Sequence, residues 1–153
     1  MRRLILFTSV ALFASSAAQA ADWRVVAIDD AGEPGQTVGA SVAFVDVETI
    51  ARQGDTVRFA MEVRFRPQQG RANIIRSVMR AECTPRRWAS EGSAIYADER
   101  LLDESGPTPM DNARPGTNAV GVIDGVCNRR FQSGSVDPAS HAQGILAQTS
   151  GAK

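Results

Sequence analysis

Hydrophobic and polar residues alternate most regularly over residues 56–66. Apolar side chains stand two residues apart, with mostly polar or charged side chains between them; the apolar set is Val57, Phe59, Met61, Val63 and Phe65. A period of two is typical of a strand with one buried face. Residues 73–84 repeat the pattern less cleanly, and the turn-forming residues 67–70 lie between the two runs. The pattern therefore predicts an antiparallel strand pair.

Four other runs have strand character because they are rich in β-branched, aromatic or alternating residues: 23–28, 41–47, 86–96 and, more weakly, 99–104. With the first pair they make about six short strands. The predicted fold class is therefore α+β, built on a single open antiparallel sheet. One apolar face of such a sheet needs a covering layer.

A helix is the predicted cover, starting at Thr117 or Asn118 and ending near residue 127. Its apolar positions recur at i, i+3 and i+7 and share one face: Val120, Ile123 and Cys127. Gly121 and Gly125 each weaken the helix by about 1 kcal/mol relative to alanine, so we expect it to need docking. A competing interpretation makes Asp124 and Gly125 a hairpin turn between two strand fragments. The spacing favours the helix.

The first twenty residues have the features of a secretory signal peptide. Arg2 and Arg3 precede an apolar run over residues 4–13, and alanines stand at positions 18 and 20. This run is about half the roughly 20 residues that a membrane-spanning helix needs. We therefore predict cleavage after Ala20 and export from a bacterial cytoplasm, either to the periplasm or to the cell surface and medium. No cysteine directly follows this site, so no lipid anchor is expected.

The rest of the chain divides into a folded part and a polar tail. Residues 21–131 hold all the predicted elements. Residues 132–153 are rich in serine, glycine, glutamine and alanine and have scarcely any apolar periodicity. We therefore predict one domain over 21–131 and a disordered tail over 132–153.

The chain has two cysteines, Cys83 and Cys127. In an exported domain such a pair predicts a disulfide, here between a strand and the covering helix. Its 45-residue loop corresponds to about 4 kcal/mol of stabilisation. The alternatives are weaker, because a catalytic thiol needs a base and the one histidine, His141, lies in the polar tail. A zinc site would lack ligands, so we predict no metal and no cofactor.

The charge balance excludes a global attraction to nucleic acid. The chain has 17 basic and 17 acidic residues, and loss of the leader leaves a net charge of −2. Locally, residues 55–84 hold six arginines against three acidic residues. Arginine binds carboxylates and sulfates through its planar fork. The candidate partner-binding residues are Arg58, Arg64, Arg66, Arg76 and Arg80. The alternative is a solvated sheet face on which Glu62 and Glu82 pair with arginines.

Other side chains with possible chemistry have simpler interpretations. Trp23, Trp88 and Tyr96 are more typical of packing within a small sheet than of a ligand groove. Ser135, Asp137 and His141 resemble a hydrolytic trio in composition, but the polar tail offers no scaffold that would align them. We therefore predict that the protein is not an enzyme.

Several short motifs follow one another over residues 22–127: Trp23, Phe44-Val45-Asp46-Val47-Glu48-Thr49-Ile50, Val57-Arg58-Phe59-Ala60-Met61, Arg76-Ser77-Val78-Met79-Arg80-Ala81-Glu82-Cys83, a strand with Tyr96, and Gly125-Val126-Cys127. In this order they resemble the surface-adhesin protein E family. The resemblance implies a six-stranded antiparallel sheet backed by a C-terminal helix, with the cysteines joining strand to helix. The characterised adhesin is a surface lipoprotein that binds host vitronectin, laminin and plasminogen and can dimerise. This chain departs from it in the missing lipid-accepting cysteine.

The predicted function is an exported, non-enzymatic binding module that contacts a protein or glycan through the arginine-rich sheet face. A host matrix protein is the expected partner if the protein is displayed on the cell surface. The alternative is a periplasmic accessory or assembly protein that pairs or forms a homodimer through an exposed sheet edge. Neither interpretation involves nucleic acid or a membrane span. Binding through arginines should weaken with salt, whereas edge pairing should not.

Overall fold

Seven strands and two helices make up the part of the chain that the computed structural model describes, residues 21–29, 39–68 and 70–149. The predicted signal peptide, residues 1–20, lies outside the described residues. The elements are β1 (Trp23–Asp29), β2 (Ser41–Gln53), β3 (Thr56–Phe65), β4 (Ile74–Glu82), β5 (Arg87–Ala97), β6 (Arg100–Ser105), β7 (Asp111–Asn112), α1 (Asn118–Asn128) and α2 (Pro138–Gln148).

The strands form one antiparallel sheet in which β1 to β6 lie in chain order, as expected of a mainly antiparallel α+β fold. The short strand β7 pairs with the first residues of β5. Strand β2 runs six residues past its predicted end at position 47 because its far half pairs with β3 across a two-residue turn at Gly54. Gly54 has a φ of 61°, which a glycine adopts without strain. The sequence did not predict this half of β2 as a strand, because its composition is polar.

Both faces of the sheet carry apolar side chains near β1 and β2. Successive strand residues point to opposite faces, and the two buried clusters follow this alternation. Ala43 and Val45 belong to one cluster, together with Val57, Phe59, Ala81 and the α1 residues Val122, Ile123 and Val126. Val42 and Phe44 belong to the other, together with Val25 and the α2 residues Ala142 and Leu146. The two helices therefore pack on opposite faces, which we name the α1 face and the α2 face.

Helix α1 and the disulfide are found where the sequence predicts them. The sulfur atoms of Cys83 and Cys127 are 2.02 Å apart and their Cα atoms 5.8 Å apart. The competing hairpin at Asp124 and Gly125 is wrong, since both residues lie within α1. The bridge joins the residue that follows β4 to the last turn of α1.

The prediction of a disordered tail is wrong for residues 138–148, which form α2. Asp137 caps this helix by accepting a 2.9 Å hydrogen bond from the backbone N–H of Ser140, and Pro138 starts it. Ala142 and Leu146, one turn apart, are buried on the α2 face. The missed signal was therefore an Asp-Pro start followed by apolar residues at helical spacing.

The segment between the helices lies along the outer edge of β1. Gln132 N–H donates to the carbonyl of Val25 (2.8 Å) and Val136 N–H to that of Trp23 (2.9 Å). Val25 N–H donates to Oγ of Ser133 (3.0 Å). The edge of β1 is thus covered from Trp23 to Val26, whereas no described strand lies outside β6. No helix in the described ranges is both long enough and apolar enough to cross a bilayer.

Candidate functional site

Four of the five predicted arginines lie on the α2 face. Arg58 is opposite Arg80 in the pairing of β3 with β4, and Glu62 is opposite Arg76. Arg64 follows Glu62 by two residues, so it shares that face. The face is therefore not a free polar surface, because α2 lies over part of it.

Arg66 has a structural contact at the end of β3. Its Nη2 donates to the carbonyl oxygen of Leu146 (3.0 Å) and to Oγ1 of Thr149 (2.8 Å). Cationic side chains often bind the last carbonyls of a helix in this way. Arg66 thus ties the C-terminal turn of α2 to the sheet.

Arg64 and Arg76 are held in a four-residue ion-pair cluster with Glu62 and Glu99. Glu62 is only 3% exposed. Its carboxylate accepts hydrogen bonds from Nε of Arg64 and, at 2.7 Å, from Nε of Arg76. Glu99 accepts from Nη2 of Arg64 at 3.0 Å and from Nη2 of Arg76 at 2.6 Å. The guanidinium of Arg76 also lies 4.8 Å from the ring centre of Tyr96.

The β5–β6 turn brings Glu99 into this cluster. Asp98 and Glu99 have φ values of 48° and 67°, which are uncommon for residues with a Cβ atom. Asn73 braces the turn: its Nδ2 donates to Oδ1 of Asp98, and its Oδ1 accepts from the backbone N–H of Asp98, both at 2.9 Å. The position of Glu99 is therefore imposed by the surrounding structure.

The cluster shifts the pKa values of two of its members. The hydrogen bond to Glu62 raises the pKa of Arg76 above its ordinary value. Burial of Glu99 alone would raise its pKa, but hydrogen bonds from Arg76 and Arg64 outweigh it and lower the pKa. Each group therefore keeps its charge over a wider pH range than it would in water.

Arg58 and Arg80 are the exposed arginines of this face. Arg58 pairs with Glu91 on β5 through a 2.6 Å contact from Nε to Oε2. Arg80 is exposed, and no partner for its side chain lies among the described residues. The predicted positive excess was counted over residues 55–84. The fold adds Glu91 and Glu99 from later strands and turns, so it largely neutralises that excess.

A groove crosses the uncovered part of the α2 face and has a volume of about 830 Å³. Its half-buried floor consists of small and medium apolar positions on β3, β4 and β5: Ala60, Val78, Gly92 and Ala94. Trp23 lines one end, and Glu104 and Ser105 of β6 line the other. The charged lining residues are Arg58, Arg76, Glu91 and Glu104. We call this the sheet groove.

A second cavity of about 490 Å³ continues from the sheet groove and shares Trp23 and Arg76 with it. It contains the four-residue ion-pair cluster and Asp137. Trp23 is therefore a packing residue of the α2-face core and also a wall between two cavities. The sequence favoured packing over a groove-lining role for Trp23, because register and the position of α2 were needed to see the cavities.

A third cavity, of about 560 Å³, lies between α2 and the ends of β3 and β4. Its apolar lining includes Phe65, Ile74 and Leu146. Arg64 and Glu99, which belong to the ion-pair cluster, also line it. This cavity therefore lies between α2 and the four-residue ion-pair cluster.

The remaining candidate side chains are distributed over separate sites. Trp88 packs against the α1-face core. Asp137 caps α2, whereas His141 packs edge-on against Phe44 with ring centres 6.3 Å apart. Throughout residues 21–29, 39–68 and 70–149, no three His, Cys, Asp or Glu side chains converge as a metal site requires, and every buried side-chain nitrogen or oxygen has a hydrogen-bond partner.

No family model, curated protein or solved structure matches this chain. The resemblance to the surface-adhesin protein E family therefore stays a prediction, which rests on the motifs quoted above.

Proposed function

We propose that the protein is an exported, non-enzymatic binding module that takes a protein or glycan partner in the sheet groove. The observation that supports this most is the groove itself, an uncovered concave strip on the face that α2 covers in part. Its volume of about 830 Å³ falls in the range of sites that bury most of a small ligand. The groove also leaves hydrogen-bonding groups of Arg58 and Glu91 exposed at its wall.

Arg58 is the residue through which this proposal is best tested. Arg64 and Arg76 hold the buried Glu62, so their substitution would disturb the fold as well as any binding. The Arg58 side chain is 57% exposed, and Arg58→Glu should leave thermal stability almost unchanged. The matched control is Arg114→Glu, an exposed arginine outside the groove lining.

The experiment measures binding of the predicted mature chain to immobilised matrix proteins and to a glycan array. We expect Arg58→Glu to weaken the binding of any partner that is found by at least about fivefold, and Arg114→Glu to leave that binding unchanged. Equal binding by both variants would show that the partner binds elsewhere and would reject the groove as the site.

The open edge of β6 supports a second candidate function, an accessory protein that pairs with another chain or forms a homodimer. Leu101 is 47% exposed and Leu102 is 40% exposed on this edge. Unpaired strand edges with exposed apolar residues are templates for strand addition. The opposite edge offers less of such a site, because residues 132–136 cover β1 from Trp23 to Val26.

Sedimentation velocity over a range of protein concentrations tests the edge. Edge pairing predicts a dimer that persists at high salt and that Leu101→Lys abolishes. Ile28→Lys is the control, since Ile28 is also exposed but lies on β1, the strand at the opposite edge of the sheet. A monomer at all concentrations, or a dimer that Leu101→Lys leaves intact, would reject this candidate.

A further inference from the structure

We infer that the ligand of the sheet groove is a neutral oligosaccharide. The inference rests on the proposed function, because it names the chemistry of the partner that the groove would take. Three features of the described residues carry it: the charge of the lining, the size of the apolar residues, and the hydrogen-bonding groups left at the wall.

The charge of the lining gives no attraction to a polyanion. Arg58 and Arg76 are matched by Glu91 and Glu104, so the ionisable groups of the groove sum to zero. The adjoining cavity adds Arg64 but also three acidic groups, those of Glu62, Glu99 and Asp137. Favourable binding of sulfated or acidic polymers needs an uncompensated positive field. The arginines of this face therefore do not favour such ligands, although the sequence composition suggested them.

Apart from Trp23 at one end and the buried Met61, the apolar residues of the groove are too small to anchor a protein. Protein interfaces depend on a few large side chains that bury in partner pockets. The groove floor offers alanine, glycine and valine, all half-buried. The large exposed hydrophobic residues in the described ranges are Ile28, Leu101 and Leu102, and none of them lines the groove. A protein partner would thus find better anchors on β6.

The pair formed by Arg58 and Glu91 has the hydrogen-bonding groups that a sugar requires. Only Nε of Arg58 and Oε2 of Glu91 are used in their contact, and the two side chains are 57% and 35% exposed. The guanidinium Nη groups donate and the second carboxylate oxygen accepts. Neighbouring sugar hydroxyls can each donate and accept, so one such pair can bind two of them.

Trp23 completes the arrangement at the junction of the two cavities. Its indole has a broad apolar surface and one polar N–H group. The C–H face of a pyranose ring packs on such a surface. A chain of several sugars lying over Trp23 would extend from the sheet groove into the adjoining cavity.

Isothermal titration of the predicted mature chain tests the inference with defined probes. The neutral probes are chitotetraose, cellotetraose and maltotetraose, and the charged probe is a heparin tetrasaccharide. We expect a neutral probe to bind with a Kd on the order of 1 mM or tighter. Its affinity should change less than twofold between about 50 and about 500 mM salt. The heparin probe should not bind.

Substitutions connect this affinity to the groove. Arg58→Ala and Glu91→Gln should each weaken the affinity for the neutral probe at least about fivefold. Arg114→Ala is the control and should leave that affinity unchanged. All three sites lie at exposed or half-buried side chains, so melting temperatures should stay within about 2 °C of the parent.

Two results would overturn the inference in different ways. Preferential, salt-sensitive binding of heparin would reject a neutral oligosaccharide as the ligand. No binding of any neutral probe would reject it too. A photo-crosslinking amino acid at position 58 then tests whether the proposed function still holds. Specific crosslinking to one envelope or matrix protein, absent when the probe is at position 114, keeps the binding module with a protein partner. No crosslink at position 58 removes the groove as a site altogether.

Discussion

At the scale of single residues, the partner of each arginine decides what that arginine can do. Arg64 and Arg76 share the buried Glu62, Arg66 binds the end of α2, and Arg58 faces Glu91. All five arginines were predicted as one binding surface, yet the structure places two in the partly exposed ion-pair cluster, one at the end of α2 and one at the groove wall, while Arg80 is exposed outside the groove lining.

Local sequence could predict only part of this division. Glu62 was predicted as a cross-strand partner and does face Arg76, because both lie on strands whose alternation is clear. Glu82 instead pairs with Arg87, an arginine outside the predicted set. Arg58 and Glu91 are 33 residues apart, and their contact depends on the register of three strands. Counting charges within one segment cannot detect such a contact.

The burial of Glu62 predicts a large difference between two conservative substitutions. Glu62→Gln leaves two arginines without their buried counter-charge and should lower the free energy of unfolding by about 3 kcal/mol. Glu91→Gln removes half of an exposed pair and should cost less than about 1 kcal/mol. Urea denaturation of both variants measures the difference. Equal losses would mean that the cluster contributes no more than a surface pair.

The lowered pKa values of Glu99 and Asp137 predict loss of stability in acid. Arg76 and Arg64 lower the pKa of Glu99 despite its partial burial, and the hydrogen bond from the Ser140 backbone lowers that of Asp137. A carboxyl group with a lower pKa in the folded state stabilises fully above its unfolded value, here 4.5 and 3.8. This stabilisation disappears as the pH falls through the folded value.

We therefore expect the melting temperature to be nearly constant from pH 7 to about pH 5 and to fall below about pH 4. Glu99→Gln should make that fall less steep, since one of the groups whose pKa is lowered in the folded state is removed. Thermal melts at several pH values give the comparison. An acid response that is identical in the variant would exclude Glu99 as a contributor.

At the scale of elements, the packing of α1 explains one of the two glycines that stand in this helix. A Cβ atom at Gly125 would lie 3.2 Å from both Cγ1 of Val26 and the carbonyl oxygen of Arg130. A Cβ atom at Gly121 would lie 3.7 Å from Cβ of Ala27, an ordinary contact. Only Gly125 is therefore needed for the close approach of α1 to β1.

Alanine substitutions at these two glycines should have opposite effects. Gly121→Ala gains helix propensity without a clash and should raise the free energy of unfolding by about 0.5 to 1 kcal/mol. Gly125→Ala gains the same propensity but must displace Val26 or the chain at Arg130, so it should destabilise the protein by about 1 kcal/mol or more. Thermal unfolding of the two variants distinguishes them. If Gly125→Ala stabilised the protein, Val26 on β1 would be able to move aside without a cost in free energy.

The elements also differ in how far sequence alone predicts them. Strand β3 and helix α1 have clear periods, and their predicted bounds agree with the structure within about one residue. Helix α2 has few apolar residues and was missed, since its stability depends on docking Ala142 and Leu146 against Val42 and Phe44 of the sheet. The far half of β2 and the short β7 were missed because pairing, and not composition, makes them strands.

At the scale of the whole molecule, the disulfide connects the end of β4 to the last turn of α1. Its loop of 45 residues implies about 4 kcal/mol of stabilisation through the unfolded chain. Reduction, or the double substitution Cys83→Ser and Cys127→Ser, should therefore lower the melting temperature by about 15 °C. Differential scanning calorimetry with and without reductant measures the change. A shift below about 3 °C would mean that the bridge adds little to the packing of α1.

The sealing of β1 by residues 132–136 has a consequence for the order in which the protein is made. Ser133 lies 108 residues after Val25, so ribosomes need roughly 5 to 20 s to reach it after β1 has been synthesised. During that interval the first strand lacks its edge partner. An unpaired edge in a growing chain is a site for wrong associations. A chain that stops before Gln132 would keep this edge open permanently, so early termination should produce aggregation rather than a smaller working protein.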